Sequence, residues 1–326
     1  MSCDDKQSKQ SERSQVHDTI RPSIVIIGPG GIKGYLELGA LFHLEKNGYL
    51  KKVQVYCGVS VGSIIALLLS CGCDVGNIIR SSLQIQAFEY NGLADFGKKG
   101  VGIFNNDKMR QYLIELVKDR LAIDYVPTFK QLYYLTGKIL VVTTTKRKGE
   151  SFFFSPEETP DDNIVNAVMG SINIPIVFGD VEINGEIHDD GAIGNCCPTD
   201  YFDDGINVIF TLFIEQRVIG KEIIHVAQNS ICSMMRFHRN RIISECSDKC
   251  FFIELLSDTI DVIGIASDAD AKAKMLVAGM KTCENFLTEI ENNNTNKRLL
   301  KSYSKPKKRA EAKYPISNIE NGSGNQ

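Results

Sequence analysis

The chain contains no tryptophan and only five histidines. Losing Trp removes the side chain best suited to the membrane interface, and scarce His leaves few ordinary general bases. A long hydrophobic run is also missing. The longest, Ile64 to Cys73 (IIALLLSCGC), is about half of the ~20 residues a membrane-spanning helix needs, so it is expected to be a buried core helix. Met1 to Pro22 is polar and has no apolar stretch of the secretory-signal type. The net charge of -3 gives no nucleic-acid signature. No Cys-x-x-Cys pair occurs, and Cys196-Cys197 and Cys246-xxx-Cys250 each lack the second half of a zinc site, so no metal or other cofactor is assigned. The ten cysteines lie mostly in apolar patterns, as at Cys57, Cys71, Cys73, Cys232 and Cys283. Reduced, buried thiols in an intracellular, cytoplasmic protein are expected.

What is present is an alternation of strand and helix patterns, with 43% hydrophobic and 24% charged residues, as in ordinary globular proteins. Short β-prone runs (SIVII, KVQVYCG, KILVVTTTK, SFFFS, NVIFTLFI, CFFIELL) alternate with helical spacings. Asn184-Gly185 marks a hairpin. The helix in NNDKMRQYLIELVKDRLA is expected to take Asn or Asp as its cap. The order predicts a single α/β domain with a largely parallel sheet over residues 23–292. A disordered polar tail is expected over 1–22 and a basic, polar tail over 293–326.

Two glycine-framed turns stand near the start. Ile24 to Ile27 runs straight into Gly28, Pro29, Gly30, Gly31, Ile32, Lys33 and Gly34. Such a loop presents bare backbone N–H groups to negative charge. It has neither the spacing of a P-loop nor that of a dinucleotide-binding turn. The second turn, Gly58-Val59-Ser60-Val61-Gly62, fits G-x-S-x-G between a predicted strand and a predicted helix, the context of a nucleophile elbow. If the first two strands are neighbours, the loop and Ser60 share the carboxyl edge of the sheet, where ligands bind in open α/β folds. The loop's N–H groups can then hold the oxyanion formed when Ser60 attacks an ester.

A serine hydroxyl needs a base. His17 lies in the tail, His43 on the first helix, and His225 and His238 in a helical region; His188 is nearest to a loop. A carboxylate can serve instead. Asp190 follows a predicted strand and directly precedes Gly191, which frees its approach; Asp189 is its rival, and a plain Asp-Gly turn is the structural alternative.

Together these residues resemble the patatin-like phospholipase family. Its G-G-x-[RK]-G loop corresponds to Gly30-Gly31-Ile32-Lys33-Gly34, its G-x-S-x-G to Gly58 through Gly62, and its D-G-[GA] to Asp190-Gly191-Ala192. Pro175, Phe178, Asn195 and Pro198 also fit. Pro29 stands where the family often has glycine, and it cannot donate a hydrogen bond. The oxyanion donors are therefore Gly30, Gly31 or Ile32. The resemblance implies an α/β/α sandwich, no cofactor, and a serine acyl hydrolase with a Ser60–Asp190 dyad. Its expected partner is a lipid substrate at a membrane or lipid-droplet surface.

Two alternatives stay open. One is an α/β-hydrolase esterase whose triad draws on His225 or His238, although that fold places more units before its elbow. The other is a catalytically silent lipid-binding protein on the same scaffold. Lys297 to Lys313 is a basic cluster, readable as a solvated tail, a peripheral membrane contact or, through Lys305 to Arg309, a nuclear-import signal.

Overall fold

The computed structural model describes residues 20–83, 89–90, 103–216, 223–257 and 269–297. In chain order these form β1 (Ile24–Ile27), a 3-10 turn (Gly31–Lys33), α1 (Gly34–Lys46), a second 3-10 turn (Tyr49–Lys52), β2 (Val55–Val59), α2 (Val61–Ser70) and α3 (Val75–Ser82). Next come β3 (Glu89–Tyr90), β4 (Phe104–Asn105), α4 (Asp107–Leu121), α5 (Phe129–Thr136), β5 (Ile139–Lys146), β6 (Ser151–Phe154) and α6 (Ile164–Ser171). The chain continues through β7 (Val181–Ile183), β8 (Glu186–Asp189), α7 (Gly191–Gly194), α8 (Thr199–Phe202), β9 (Ile209–Gln216), α9 (Ile223–Glu245), β10 (Cys250–Ser257) and α10 (Ala269–Lys297).

The main sheet has the order β10-β9-β1-β2-β5-β8-β7, with β6 also on β5. The pairings β10–β9, β9–β1, β1–β2 and β2–β5 are all parallel; β6, β7 and β8 add antiparallel pairs. A parallel sheet is covered on both faces, so its strands read as continuous apolar runs. Val25, Ile27, Tyr56, Leu140 and Val142 point into the larger core, under α1, α2 and α6. Ile24, Ile26, Val55, Cys57 and Val141 point to the other face, where Phe202 of α8 packs. The result is the expected α/β/α sandwich.

Several local expectations hold. The β7–β8 hairpin turns at Asn184 (φ 53°) and Gly185 (φ 79°), the left-handed pair that a tight hairpin demands. The helix of Ile64 to Ser70 is buried nearly all round, and its sequence neighbours Cys71 and Cys73 are buried too. Two details differ. The α4 cap position is Asn106, but its side chain makes no cap; Asn105 Oδ1 instead accepts from Asp107 N–H at 2.6 Å. The last helix runs past residue 292, to Lys297. Sequence periodicity also missed α5, whose start is fixed by a Thr128–Gln131 capping box. Residues 1–19 and 298–326, which hold most of both tails, lie outside the described residues.

Helix α1 is held against α10 at close range. A Cβ on Gly39 would lie 2.1 Å from Leu276 O, and one on Gly279 would lie 2.0 Å from Leu36 O. Only two glycines let these backbones touch. That contact fixes α1, and through it the glycine loop at its amino end.

Candidate active site

The sheet itself brings the site together. On β5, β2 pairs with Ile139–Thr143 and β6 with Val142–Thr145, so the two occupy opposite edges. Strand β8 pairs at Thr145 and Lys146, where β6 already fills one edge at Thr145, and so it shares the β2 edge. Strands β2 and β8 therefore run toward each other along one edge of β5. They end at Val59, opposite Thr143, and Asp189, opposite Thr145. The next residues are Ser60 and Asp190.

Ser60 Oγ donates to Asp190 Oδ2 at 2.6 Å. Both residues are buried, at 7% and 3% exposure. Ser60 has φ 54° and ψ −130°, a conformation costly for any residue with a Cβ. Its surroundings hold it there. Ser60 N–H donates to Ser171 Oγ at 2.9 Å, and Ser171 Oγ donates to Thr143 O at 2.7 Å. Ser63 N–H returns to Ser60 O at 2.8 Å. A Cβ on Gly58 would sit 2.3 Å from Ser63 Cα, and one on Gly62 would sit 2.2 Å from Ile27 O. The two glycines of the motif are thus required by close backbone packing, and α2 starts directly behind Ser60 with its N–H dipoles aimed forward.

Asp190 is fixed just as firmly. Its N–H donates to Asn173 O at 2.7 Å, its Oδ1 accepts from Ala192 N–H at 2.9 Å, and its carbonyl accepts from Thr145 Oγ at 2.9 Å. A Cβ on Gly191 would lie 2.1 Å from Thr143 O. Burial pushes the Asp190 carboxyl up to about 6, against the opposing pull of the Ser60 and Ala192 hydrogen bonds; the nearby Asp189 charge adds to the rise. Asp189 faces elsewhere. It takes Arg147 Nη2 at 2.8 Å and Nε at 3.2 Å, and Arg147 also pairs with Asp180 at 2.8 Å.

The glycine loop lies beside this pair. Gly62 abuts Ile27 and Gly28 carbonyls, and a Cβ on Gly34 would lie 3.3 Å from Val61 Cγ1. Gly31, with φ 53°, is exposed. Gly30, Gly31 and Ile32 precede the first internal bond of the 3-10 turn, Lys33 N–H to Gly30 O at 3.0 Å. Among the described residues their N–H groups have no backbone acceptor outside the turn, as a helix start leaves them. Lys33 is buried; on α9, burial raises the Cys232 thiol and the Lys33 charge opposes that rise.

His188 stands in another role. His188 is buried on β8, with Nδ1 2.9 Å from Thr144 Oγ1 and its ring against Phe152 and Phe154; burial lowers its pKa. His43 lies on α1, and His225 and His238 on α9. His17 is outside the described residues. Ser171, Asn173 and Thr145 were not singled out from sequence. The only signals were the small-residue run before Pro175 and the threonine triplet of β5.

The patatin-like phospholipase family model matches residues 25–203, from β1 through α8. The probable lipid hydrolase 463L of Invertebrate iridescent virus 6 is 32% identical over 186 residues, 54% of this chain and 61% of that one. The uncharacterized protein R571 of Acanthamoeba polyphaga mimivirus is 30% identical over 188 residues, 55% of this chain and 60% of that one. The chain thus spans about three fifths of the length of these curated relatives. The crystal structure of VipD from Legionella pneumophila shares the fold, with a TM-score of 0.55 and 15% identity over 82% of this chain and 67% of that one. The family match takes in more than half of the chain and every motif residue of the site, from Gly30 to Ala192: the chain belongs to the patatin-like phospholipase family.

Proposed function

We propose that the protein is a serine-dependent lipid acyl hydrolase that cleaves ester bonds of phospholipids or related acyl lipids. The observation that carries this reading is the 2.6 Å bond from Ser60 Oγ to Asp190 Oδ2 at a strained strand-to-helix turn. Asp190 takes the Ser60 proton as Ser60 Oγ attacks the acyl carbonyl carbon. The tetrahedral oxyanion forms beside the glycine loop and is held by N–H groups of Gly30, Gly31 or Ile32; one such donor is worth ~3 kcal/mol of barrier. Asp190 returns the proton to the departing alcohol oxygen. An acyl-enzyme remains on Ser60, and water, deprotonated by Asp190, releases the fatty acid. A carboxylate raised to about 6 is ionised at neutral pH yet basic enough for these transfers.

Family membership and the lipid hydrolase name of a viral relative support the substrate class. Among the described residues no helix is long and apolar enough to cross a membrane. The basic stretch from Lys297 to Lys313 is proposed to hold the enzyme peripherally at an anionic lipid surface. Each basic residue near such a surface adds about 1 kcal/mol. Deleting residues 298–326 should then weaken binding to anionic vesicles, and more so at low salt.

The test of activity is fatty acid release from phospholipid vesicles and from emulsified neutral lipid. Release is expected from one or both, absent in Ser60→Ala and preserved in His238→Ala. Release that survives Ser60→Ala overturns the mechanism. Loss in His238→Ala alone favours the triad alternative.

A further inference from the structure

The sequence reading assigned no metal to Cys246-xxx-Cys250 because two ligands do not make a site. The fold supplies a third. Asp203, the residue closing α8, meets Cys246 at the end of α9 and Cys250 at the start of β10, and one ligand atom from each lies within 4.8 Å of the others. Two thiolates and a carboxylate around a tetrahedral zinc ion sit about 3.5–3.8 Å apart, from Zn–S ≈ 2.3 Å and Zn–O ≈ 2.0–2.2 Å. Small inward shifts of the side chains reach that geometry. All three residues are half-buried, so solvent and ions reach them.

The hydrogen bonding fits an ion that replaces thiol protons. The Cys250 thiol lies within 4.8 Å of both an Asp203 carboxylate oxygen and the Cys246 thiol. Asp203 is also held from behind. Oδ1 accepts from Ser247 Oγ at 2.6 Å and Gly205 N–H at 3.1 Å, and Oδ2 accepts from Ser247 N–H at 2.6 Å. Such outer partners orient a metal-binding carboxylate. Oδ2 keeps a lone pair for the cation. Two thiolates select a soft or borderline ion over Mg2+ or Ca2+.

We propose that Asp203, Cys246 and Cys250 form a binding site for a thiophilic divalent cation of the Zn2+ class, with a fourth position left to water. Binding converts two thiols and one cation into a dithiolate complex and two released protons. No electrons move. The site lies at the amino ends of the parallel strands, whereas Ser60 and Asp190 lie past the carboxyl end of β2. Its role is therefore structural. It would pin the end of α9 to β10, and α9 carries Arg236 and Arg239, which pair with Glu215 of β9. Cys246 and Cys250 fall outside residues 25–203, so the site is not part of the family match.

The test uses the full chain, kept reduced with a phosphine, and titrated with Co2+ and then Zn2+. The expected result is a single Co2+ per chain, with near-ultraviolet thiolate charge-transfer bands and strong tetrahedral bands in the red, displaced by Zn2+. Cys246→Ser and Cys250→Ser should each abolish these bands, and Asp203→Asn should weaken binding by about 10-fold or more. The Cys196→Ser/Cys197→Ser double variant should keep them. Saturating Zn2+ should raise Tm in the wild type and in that double variant, but not in Cys250→Ser. Absence of stoichiometric binding in the wild type overturns the proposal. So does binding that persists in both Cys246→Ser and Cys250→Ser.

Discussion

Ser60 and Asp190 are 130 residues apart in the chain, and β5 directs both to one place. Val59 stands opposite Thr143 on a parallel ladder, and Asp189 stands opposite Thr145 on an antiparallel one. One further step along either ladder reaches Thr144. The 2.6 Å contact between hydroxyl and carboxylate follows from this register. A slip of one residue in either ladder would turn the side chain to the other face.

The strain at Ser60 predicts an inverted glycine effect. Ser60→Ala and Ser60→Gly both remove the hydroxyl. They differ at φ 54°, which Gly adopts freely and Ala does not. Glycine usually destabilises through its unfolded-state entropy. Here Ser60→Gly should be the more stable of the two by about 1 kcal/mol, read from paired urea melts. Equal or reversed stabilities would show that the turn stores no strain.

Asp190 should cost stability while it serves as a base. Its carboxyl rises from 3.8 to about 6 on folding, because burial disfavours the charge. The charged form is thus penalised in the native state. The penalty is absent below the unfolded value, grows between about 4 and 6, and is complete above about 6. Asp190→Asn stays neutral throughout. It should be more stable than wild type by up to about 3 kcal/mol at about pH 8, with the gap closing toward about pH 4. A destabilised variant at about pH 8 would contradict the assigned direction.

The same shift sets the pH profile of turnover. The base must be ionised, so kcat/KM should fall on the acid side with an apparent pKa of about 6. Arg147 neutralises Asp189 next door. Removing it in Arg147→Ala leaves a bare negative charge beside Asp190 and should move the acid limb upward. An unmoved limb would mean that Asp189 does not reach Asp190 electrostatically.

Gly191 has no room for a methyl group. A Cβ there would lie 2.1 Å from Thr143 O, on the strand that sets the Ser60–Asp190 register. Gly191→Ala should lower stability by about 3 kcal/mol or more and abolish turnover together with it. Wild-type Tm in that variant would show that the Asp190 turn is not pinned to β5.

The motif glycines were legible because close backbone packing admits no side chain at them. Gly58 and Gly62 are demanded by packing against Ser63 and Ile27, and Gly191 by Thr143. The choice of Asp190 over Asp189 rested on the glycine after it; in the structure Asp190 accepts from Ser60 and Asp189 is taken by Arg147. The supports were illegible. Ser171 bridges Ser60 N–H to Thr143 O from 111 residues away, and nothing in the serine itself announces it. The expected Asn or Asp cap of α4 left open which residue bonds the first turn, and only the turn geometry assigns it to the Asn105 side chain. The third residue near Cys246 and Cys250 was hidden for the same reason, since Asp203 arrives through the fold.

The most direct measurement is labelling with an alkyl fluorophosphonate, followed by peptide mass spectrometry and by the labelling rate. The account predicts a single adduct on Ser60, absent in Ser60→Ala, forming ~10²–10⁴-fold more slowly in Asp190→Asn because the proton acceptor is gone. An adduct on any other residue, or an Asp190→Asn protein that labels at the wild-type rate, would contradict it.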